Sequence, residues 1–321
     1  MTANIVAFFR REPSVLVAYA VLMVILAIWV ALTPNLSLTS LTNSIGAKLP
    51  LVMLAIAATI VIVSRGIDLS VGGTLALTNV IIARGSASDG NVLLWIVVAI
   101  AVALIAGLIN GIFVSLLRLP PLIVTLAMQS VLVGAALYVL PTPGGSVPSW
   151  FSRLSLTLVG PVPLVLMLMI VVPLLVWLPL RRSRFGTALY GVGNDEAAAF
   201  VSGVKIRSTV IGAYMLSAFF AALGGIFLTM NTVSGDPNIG TPYTLNSIAA
   251  AVLGGALLAG GRGTISGAIA GALILSFITN LLFSLGVSSY WQYVVTGVLL
   301  VATLSVPFVA EFFRSRKAAP Q

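Results

Sequence analysis

Apolar residues fill this chain in one long block after another, and the polar residues are confined mostly to the gaps between blocks. Runs of about 17–25 apolar residues cross a bilayer as helices, because only a helix satisfies every backbone polar group within the segment itself. The blocks predict spans at about 15–32, 49–63, 71–83, 92–117, 121–140, 162–180, 208–230, 246–259, 264–285 and 290–308. The fold class expected is an all-α polytopic membrane protein with about ten transmembrane helices, one transmembrane domain over 1–321. The first block follows Arg10 and Arg11; it is too long for a signal-peptide core and lacks a small-residue cleavage site, so it reads as a retained span.

Several blocks are short or broken. The pieces at 49–63 and 71–83 flank Arg65-Gly66-Ile67-Asp68-Leu69-Ser70-Val71-Gly72-Gly73, which embeds an acid between two apolar walls. Leu119-Pro120-Pro121 interrupts the chain before the fifth span, and Gly254, Gly255, Gly260, Gly261 and Gly263 crowd the eighth. Close helix packing uses the same small residues. Broken helices are tolerated at membrane depth only where protein or a cavity surrounds them, and in transporters they mark the substrate path. A faint internal echo links SRGIDLSVGGTLAL at 64–77 with GGRGTISGAIAGAL at 260–273.

Charge orients the spans. With the N-terminus in the cytoplasm, the inside segments hold Arg10, Arg11, Arg65, Arg118, Arg181, Arg182, Arg184, Lys205, Arg207, Arg262, Arg314, Arg316 and Lys317, and the outside segments hold only Lys48, Arg84 and Arg153. This skew predicts that both termini are cytoplasmic. It also explains the net charge of +9 as topogenic, with no need for nucleic acid as a partner. Charged residues make up 7% of the chain, and there is no His and no Cys. Imidazole and thiolate metal sites, Cys nucleophiles and disulfides are therefore excluded. Seven scattered acids predict no metal cluster, no cofactor and no catalytic residues.

One cytoplasmic excursion is sizeable, 181–207. Within it, GVGNDEAAAFVSGVKI predicts a short helix outside the bilayer: Gly193 breaks the chain, Asn194 is the N-cap, and Asp195 and Glu196 sit in the first turn. Ala197, Ala198 and Ala199 propagate the helix and Gly203 stops it, with Phe200 and Val201 on a small-residue face. A plain connector helix is one reading; a docking knob for a soluble partner is the other. The chain has no G-x-x-x-x-G-K-[ST] phosphate loop, so any coupling to ATP has to pass through a surface.

Four stretches together resemble the permease subunit of ribose-type ABC sugar importers, a group similar to the branched-chain amino-acid permeases. They are Gly66 to Gly72; Gly107-Leu108-Ile109-Asn110-Gly111 followed by Pro121-Leu122-Ile123-Val124-Thr125-Leu126; Gly193-Asn194 with Ala198-Ala199 and Ser202-Gly203-Val204; and Ile248 to Gly255 running into Gly260-Gly261-Arg262-Gly263-Thr264. The resemblance implies a multi-pass protein of the bacterial inner membrane. Its implied partners are an ABC ATPase subunit, a second permease subunit (identical or paralogous) and a periplasmic sugar-binding protein. It also implies that 187–204 is the ATPase-coupling helix, with Gly193, Asn194, Asp195, Glu196, Ala198, Ala199, Phe200, Ser202 and Gly203 as its residues. One departure is visible: where the family usually carries an acid, Tyr243-Thr244-Leu245-Asn246-Ser247 has none.

A path for a neutral polyhydroxy solute needs dispersed hydrogen-bonding groups and few fixed charges. Asp68, Ser70, Asn79, Asn110, Thr125, Gln129 and Asn246 form the expected substrate path, with Asn231 and Asn280 as further embedded amides. Asp68 either serves the path, with Arg65 as its nearest counter-charge, or caps the helix that starts near Leu69. The outside loops 141–160 and 231–245 are rich in Pro and Gly and are expected to receive the binding protein. The alternative function is an ion-coupled secondary carrier, but the sequence offers no His and no paired carboxylate for a relay. A membrane-embedded enzyme lacks an activating base.

Overall fold

The fold is organised around one helix that has no free face. In the computed structural model, which describes residues 13–33, 37–160 and 162–288 and the helical residues 290–292, 294–299, 301–302 and 305, helix α3 (Leu49–Val63) is buried at every position. Before it come α1 (Pro13–Leu32) and the short α2 (Leu38–Gly46). After it come α4 (Val71–Asp89), α5 (Val92–Ser115), α6 (Pro121–Val139) and a five-residue α7 (Ser149–Arg153). A small antiparallel pair, β1 (Leu158–Val159) with β2 (Val162–Pro163), leads into α8 (Leu164–Arg182). The chain continues as α9 (Arg184–Asn194), α10 (Glu196–Val201), α11 (Ile206–Thr232), α12 (Thr241–Leu253) and α13 (Ile265–Ser284).

The chain is helical as expected: continuous helices occupy nine of the ten anticipated spans, and the described residues of the tenth, 290–308, are helical too. By length and composition six helices can cross a membrane, or seven if the bent pair formed by Leu166–Arg182 and Arg184–Asn194, angled at 76°, is a single span. The expected spans at 71–83 and 246–259 are covered by helices too polar or too short for that test, and much of 290–308 lies outside the described residues. Helix α12 starts five residues earlier than the apolar block suggested, with Pro242 in its first turn, and ends before Gly254. The loop at 141–160 is less irregular than its Pro and Gly content implied, since it holds α7 and part of the β1–β2 pair. Arg10 and Arg11 and the basic tail Arg314, Arg316 and Lys317, on which the orientation of the termini rests, lie outside the described residues.

Helix α11 is the reference axis. Asn231 donates to the Gly46 carbonyl (2.9 Å), Gly224 abuts Leu54, and the far end of α3 at Val61 meets the level of Tyr214 through Gly66, so α3 runs antiparallel to α11. Asp68 bonds Ser217, Gly225 lies on Leu75 and Thr78, and Asn79 bonds Thr229, so α4 runs parallel to α11. Helices α3 and α4 are thus a hairpin whose turn, 64–70, lies level with Ser217. At 1.5 Å per residue that is about 16 Å along the axis from Ile206.

A second hairpin is built the same way. Helices α12 and α13 run antiparallel, with Gly254 against the Gly267 backbone and Gly271 against the Ala250 carbonyl. Spacing of small residues by four lets backbones approach in a membrane, where packing rather than a hydrophobic drive holds helices together. The start of α12 is pressed onto the start of α4: a Cβ on Gly240 would fall on the Gly72 carbonyl. Between α11 and α12, the non-helical stretch 233–240 lies along α4. It is strapped there by Asn79, which donates to Ser234 O (3.0 Å) and accepts from Asp236 N (2.8 Å), and by paired bonds between Gly144 and Gly235. At the rim, α1 closes on α13 through Trp29 and Phe277, ring centroids 5.2 Å apart, and through Tyr19, which donates to Ser266 O.

A Leu in place of Gly271 has to displace the Ala250 backbone, and overpacking of this kind costs about 1–3 kcal/mol or more. Gly271→Leu is expected to lower the thermal midpoint of the detergent-solubilised chain. Gly134→Leu, on the open face of α6 where a Cβ meets nothing within 4 Å, is expected to leave it unchanged.

Candidate functional site

The turn between α3 and α4 is the polar centre of the structure. Helix α3 ends with Arg65 in the left-handed region (φ 65°), and the Arg65 and Gly66 amides return to the Ile62 and Val61 carbonyls (2.9 Å each). Glycine normally takes such a terminating position; a side chain there costs about 1–2 kcal/mol. Asp68 follows, 3% exposed. One carboxylate oxygen accepts from the Ser70 amide (2.9 Å) and the Ser70 hydroxyl (2.6 Å); the other accepts from the Ser217 hydroxyl (2.8 Å). Asn110 donates to the Ser70 hydroxyl (2.9 Å), and its own carbonyl oxygen is buried without a partner among the described residues. Thr125 and Tyr214 donate to the Ile67 carbonyl, and Gln129 accepts from the Gly73 amide (2.6 Å).

These contacts gather five of the seven expected path residues around one turn: Asp68, Ser70, Asn110, Thr125 and Gln129. Asn79 is elsewhere, its side-chain amide spent on Thr229 and on the strap at 234–236. Asn246 is half-buried on α12 and joins no hydrogen bond to the cluster, whereas Thr244 packs against Gly72 with a buried hydroxyl that has no partner among the described residues. Asn231 and Asn280 hold outer contacts, Asn231 on Gly46 O and Asn280 on the Lys48 ammonium (2.8 Å). Asp68 is neither the N-cap of α4 nor paired with Arg65, the counter-charge the sequence suggested. The helix starts at Val71 with no side-chain cap from Ser70, and Arg65 turns away from Asp68 to the carbonyls of Gly193 (2.9 Å) and Asn194 (2.7 Å). Ser217 and Tyr214, three residues apart on one face of α11, were not anticipated. The clue was available: they are polar positions at helical spacing inside a long apolar block.

The second constellation lies at the end of α9. The sequence suggested loop here, but 184–194 is helical with Ser183 as its N-cap. Asn194 therefore closes one helix and does not start the next. The cap of α10 is Asp195, whose carboxylate accepts from the amides of Ala197 (2.9 Å) and Ala198 (3.0 Å). The physical reason is that Gly193 is too tightly held to break the chain: a Cβ there would strike the Val63 carbonyl and the Gly261 amide. Gly203, at φ 79°, stops α10 as expected. Ala199 is buried, while Glu196, Ala198, Phe200, Ser202 and Gly203 face outward.

Around Gly193 the two broken regions meet. The Gly261 amide donates to Val63 O (2.9 Å), and the Tyr190 hydroxyl donates to Gly263 O (2.7 Å). The stretches 64–77 and 260–273, which echo each other in sequence, therefore lie at two touching hairpin turns. Beside them a cavity of about 810 Å³ runs from Glu196 and Phe200 of α10, past Arg118, Lys205 and Arg207, to Gly66 and Tyr214. It ends two residues short of Asp68. Among the described residues no group of three or more acid side chains could hold a metal.

Comparison with known proteins gives these features a setting. A family model described as the branched-chain amino acid transport system / permease component matches residues 40–304. The ribose import permease protein RbsC of Escherichia coli (strain K12) is 36% identical over 294 residues, covering 89% of this chain and 91% of that protein. A probable ABC transporter permease protein, y4mJ, of Sinorhizobium fredii is 31% identical over 322 residues, covering 98% and 94%. The galactose/methyl galactoside import permease protein MglC of Haemophilus influenzae is 29% identical over 309 residues, covering 90% and 92%. No solved structure matches the chain significantly. The chain belongs to the branched-chain amino acid transport system / permease component family, and within it is similar to the ribose-type sugar import permeases.

Proposed function

We propose that this chain is the transmembrane subunit of an ATP-binding cassette importer in the bacterial inner membrane. It moves a monosaccharide, or a related polyol or nucleoside, into the cytoplasm. A separate ATPase subunit drives it, a periplasmic binding protein feeds it, and a second permease subunit completes the pathway. The chain itself carries no catalysis. The sugar assignment follows from the ribose and galactose named for its relatives. The observation that carries the coupling assignment is the tip of α10. Phe200 (72% exposed) and Val201 (86% exposed) project next to the point where two broken regions join, which gives a docking surface a short route into the membrane.

In this reading 187–204 is the coupling segment, and the turn at 64–70 is where the solute passes. Asp68, Ser70, Asn110, Thr125 and Gln129 supply hydrogen bonds, and the unpartnered oxygens of Asn110 and Thr244 have spare capacity for hydroxyl groups. A neutral solute suits a cluster with one carboxylate and four hydroxyl or amide side chains around it. The cavity from Glu196 to Gly66 is the inner vestibule of that route.

Mild extraction of the tagged chain from its own membranes is expected to bring down a nucleotide-binding subunit in stoichiometric amount. A chain that stays alone even after gentle crosslinking would favour a secondary carrier. Replacing Asp195 and Glu196 with Lys removes the α10 cap, worth about 1 kcal/mol, and reverses the charge of its first turn. Sugar-stimulated ATP hydrolysis is expected to be lost while the chain still inserts; hydrolysis at full rate would remove the docking role. Asp68→Asn keeps the shape but weakens charge-assisted bonds to Ser70 and Ser217, each worth about 1.5–3 kcal/mol. Transport is expected to fall about tenfold or more with assembly intact; unchanged transport would move the path away from this cluster.

A further inference from the structure

Three cations that line the vestibule, Arg118, Lys205 and Arg207, are exposed at its mouth, but the fourth is not free. The Arg65 guanidinium is bound to the backbone of another element, and that bond links the coupling segment to the polar turn. We infer that Arg65 is a positioning residue for transport: it fastens the end of α9 to the α3–α4 turn, so that displacement of the coupling segment pulls on the Asp68 cluster. This rests on the importer reading above.

The geometry leaves the joint little freedom. Arg65 donates through Nε to Gly193 O (2.9 Å) and through Nη2 to Asn194 O (2.7 Å), two successive carbonyls at the C-terminal end of α9. Those carbonyls are among the ones a helix leaves without internal partners, and a cation is favoured there. On the other side of the same turn, Gly261 N donates to Val63 O (2.9 Å). There is also no slack for sliding. A Cβ on Gly193 would meet the Val63 carbonyl, one on Gly260 the Arg65 side chain, and one on Gly261 the Asn194 side chain. The left-handed backbone of Arg65 is an uncommon state for a side-chain-bearing residue. The joint maintains it from both ends.

The link from joint to site is short. Asp68 is three positions on from Arg65, a reach of at most about 11 Å even when fully extended. Asp68 is in turn fixed to Ser217 of α11 and, through Ser70, to Asn110 of α5. A shift of α9 carried through Arg65 therefore loads the Asp68–Ser217 and Ser70–Asn110 bonds, with no need for a chain of intervening side chains. A lysine could not replace this arginine. Its single ammonium lacks the planar fork that spans two neighbouring carbonyls.

The test uses the intact transporter with its ATPase subunit, reconstituted in vesicles, and reads sugar transported per ATP hydrolysed. For Arg65→Lys and Arg65→Ala, the ATPase subunit is expected to be recovered as with the parent, while sugar moved per ATP falls about tenfold or more, the factor for losing one charge-assisted hydrogen bond. A parent ratio in an assembled Arg65→Ala transporter overturns the inference. So does a fall in transport and hydrolysis in equal proportion, which marks a merely structural residue. Hydrogen exchange on the parent complex gives a reading that needs no variant. Peptides covering 190–196 and 258–264 are expected to keep the same protection with and without ATP, because the joint moves as one body; loss of protection on adding ATP overturns it. Failure to recover any ATPase subunit with the parent chain would strike the importer reading itself, a result separate from all of these.

Discussion

A backbone amide in hydrocarbon has no water to turn to, and this constraint decides where the chain can afford to stop being helical. Helix α3 ends inside the protein, and the carbonyl of Val63 would be stranded there without a donor. It receives one from Gly261, in the turn of the other hairpin. That bond joins the turns of two hairpins already packed on each other through Gly72 and Gly240, and the rest of the joint is built around it. Gly193 has to be a glycine to let α9 approach, and Arg65 is placed to satisfy the carbonyls that α9 leaves open. The breaks are permitted because each one satisfies another.

The polar cluster obeys the same logic. Asp68 is buried without a cation, a situation that would be expensive for a bare carboxylate. Its oxygens instead take three donors, two from Ser70 and one from Ser217. The cluster is thus a set of hydroxyl and amide contacts distributed over α4, α5, α6 and α11, and each of those helices has a say in its geometry.

Much of this was legible in the sequence because it depends on apolar length, and length is directly readable. The blocks at 49–63, 92–117 and 264–285 became helices nearly to the residue, and Gly66 to Gly72 was recognisable as a break with an acid in it. What could not be read was which residues meet across the chain. Asn79 looked like any other embedded amide, yet it belongs to a strap 155 positions away. The switch of cap from Asn194 to Asp195 depends on how tightly Gly193 is gripped by Val63 and Gly261, and no local pattern reports a grip of that kind. Arg65 was paired on paper with Asp68, its neighbour in sequence, because the carbonyls it binds belong to residues more than a hundred positions downstream.

The burial of α3 has a consequence for how the protein senses its surroundings. The window 43–63 is 89% buried, against 22% for α1, 28% for α5 and 22% for α6. A change in bilayer thickness acts on the surface that lipid touches, through tilt and hydrophobic mismatch. It therefore strains α1, α5 and α6 first. Helix α3 and the turn it delivers are shielded by a jacket of other helices, so a change in the lipid reaches them only through those outer helices.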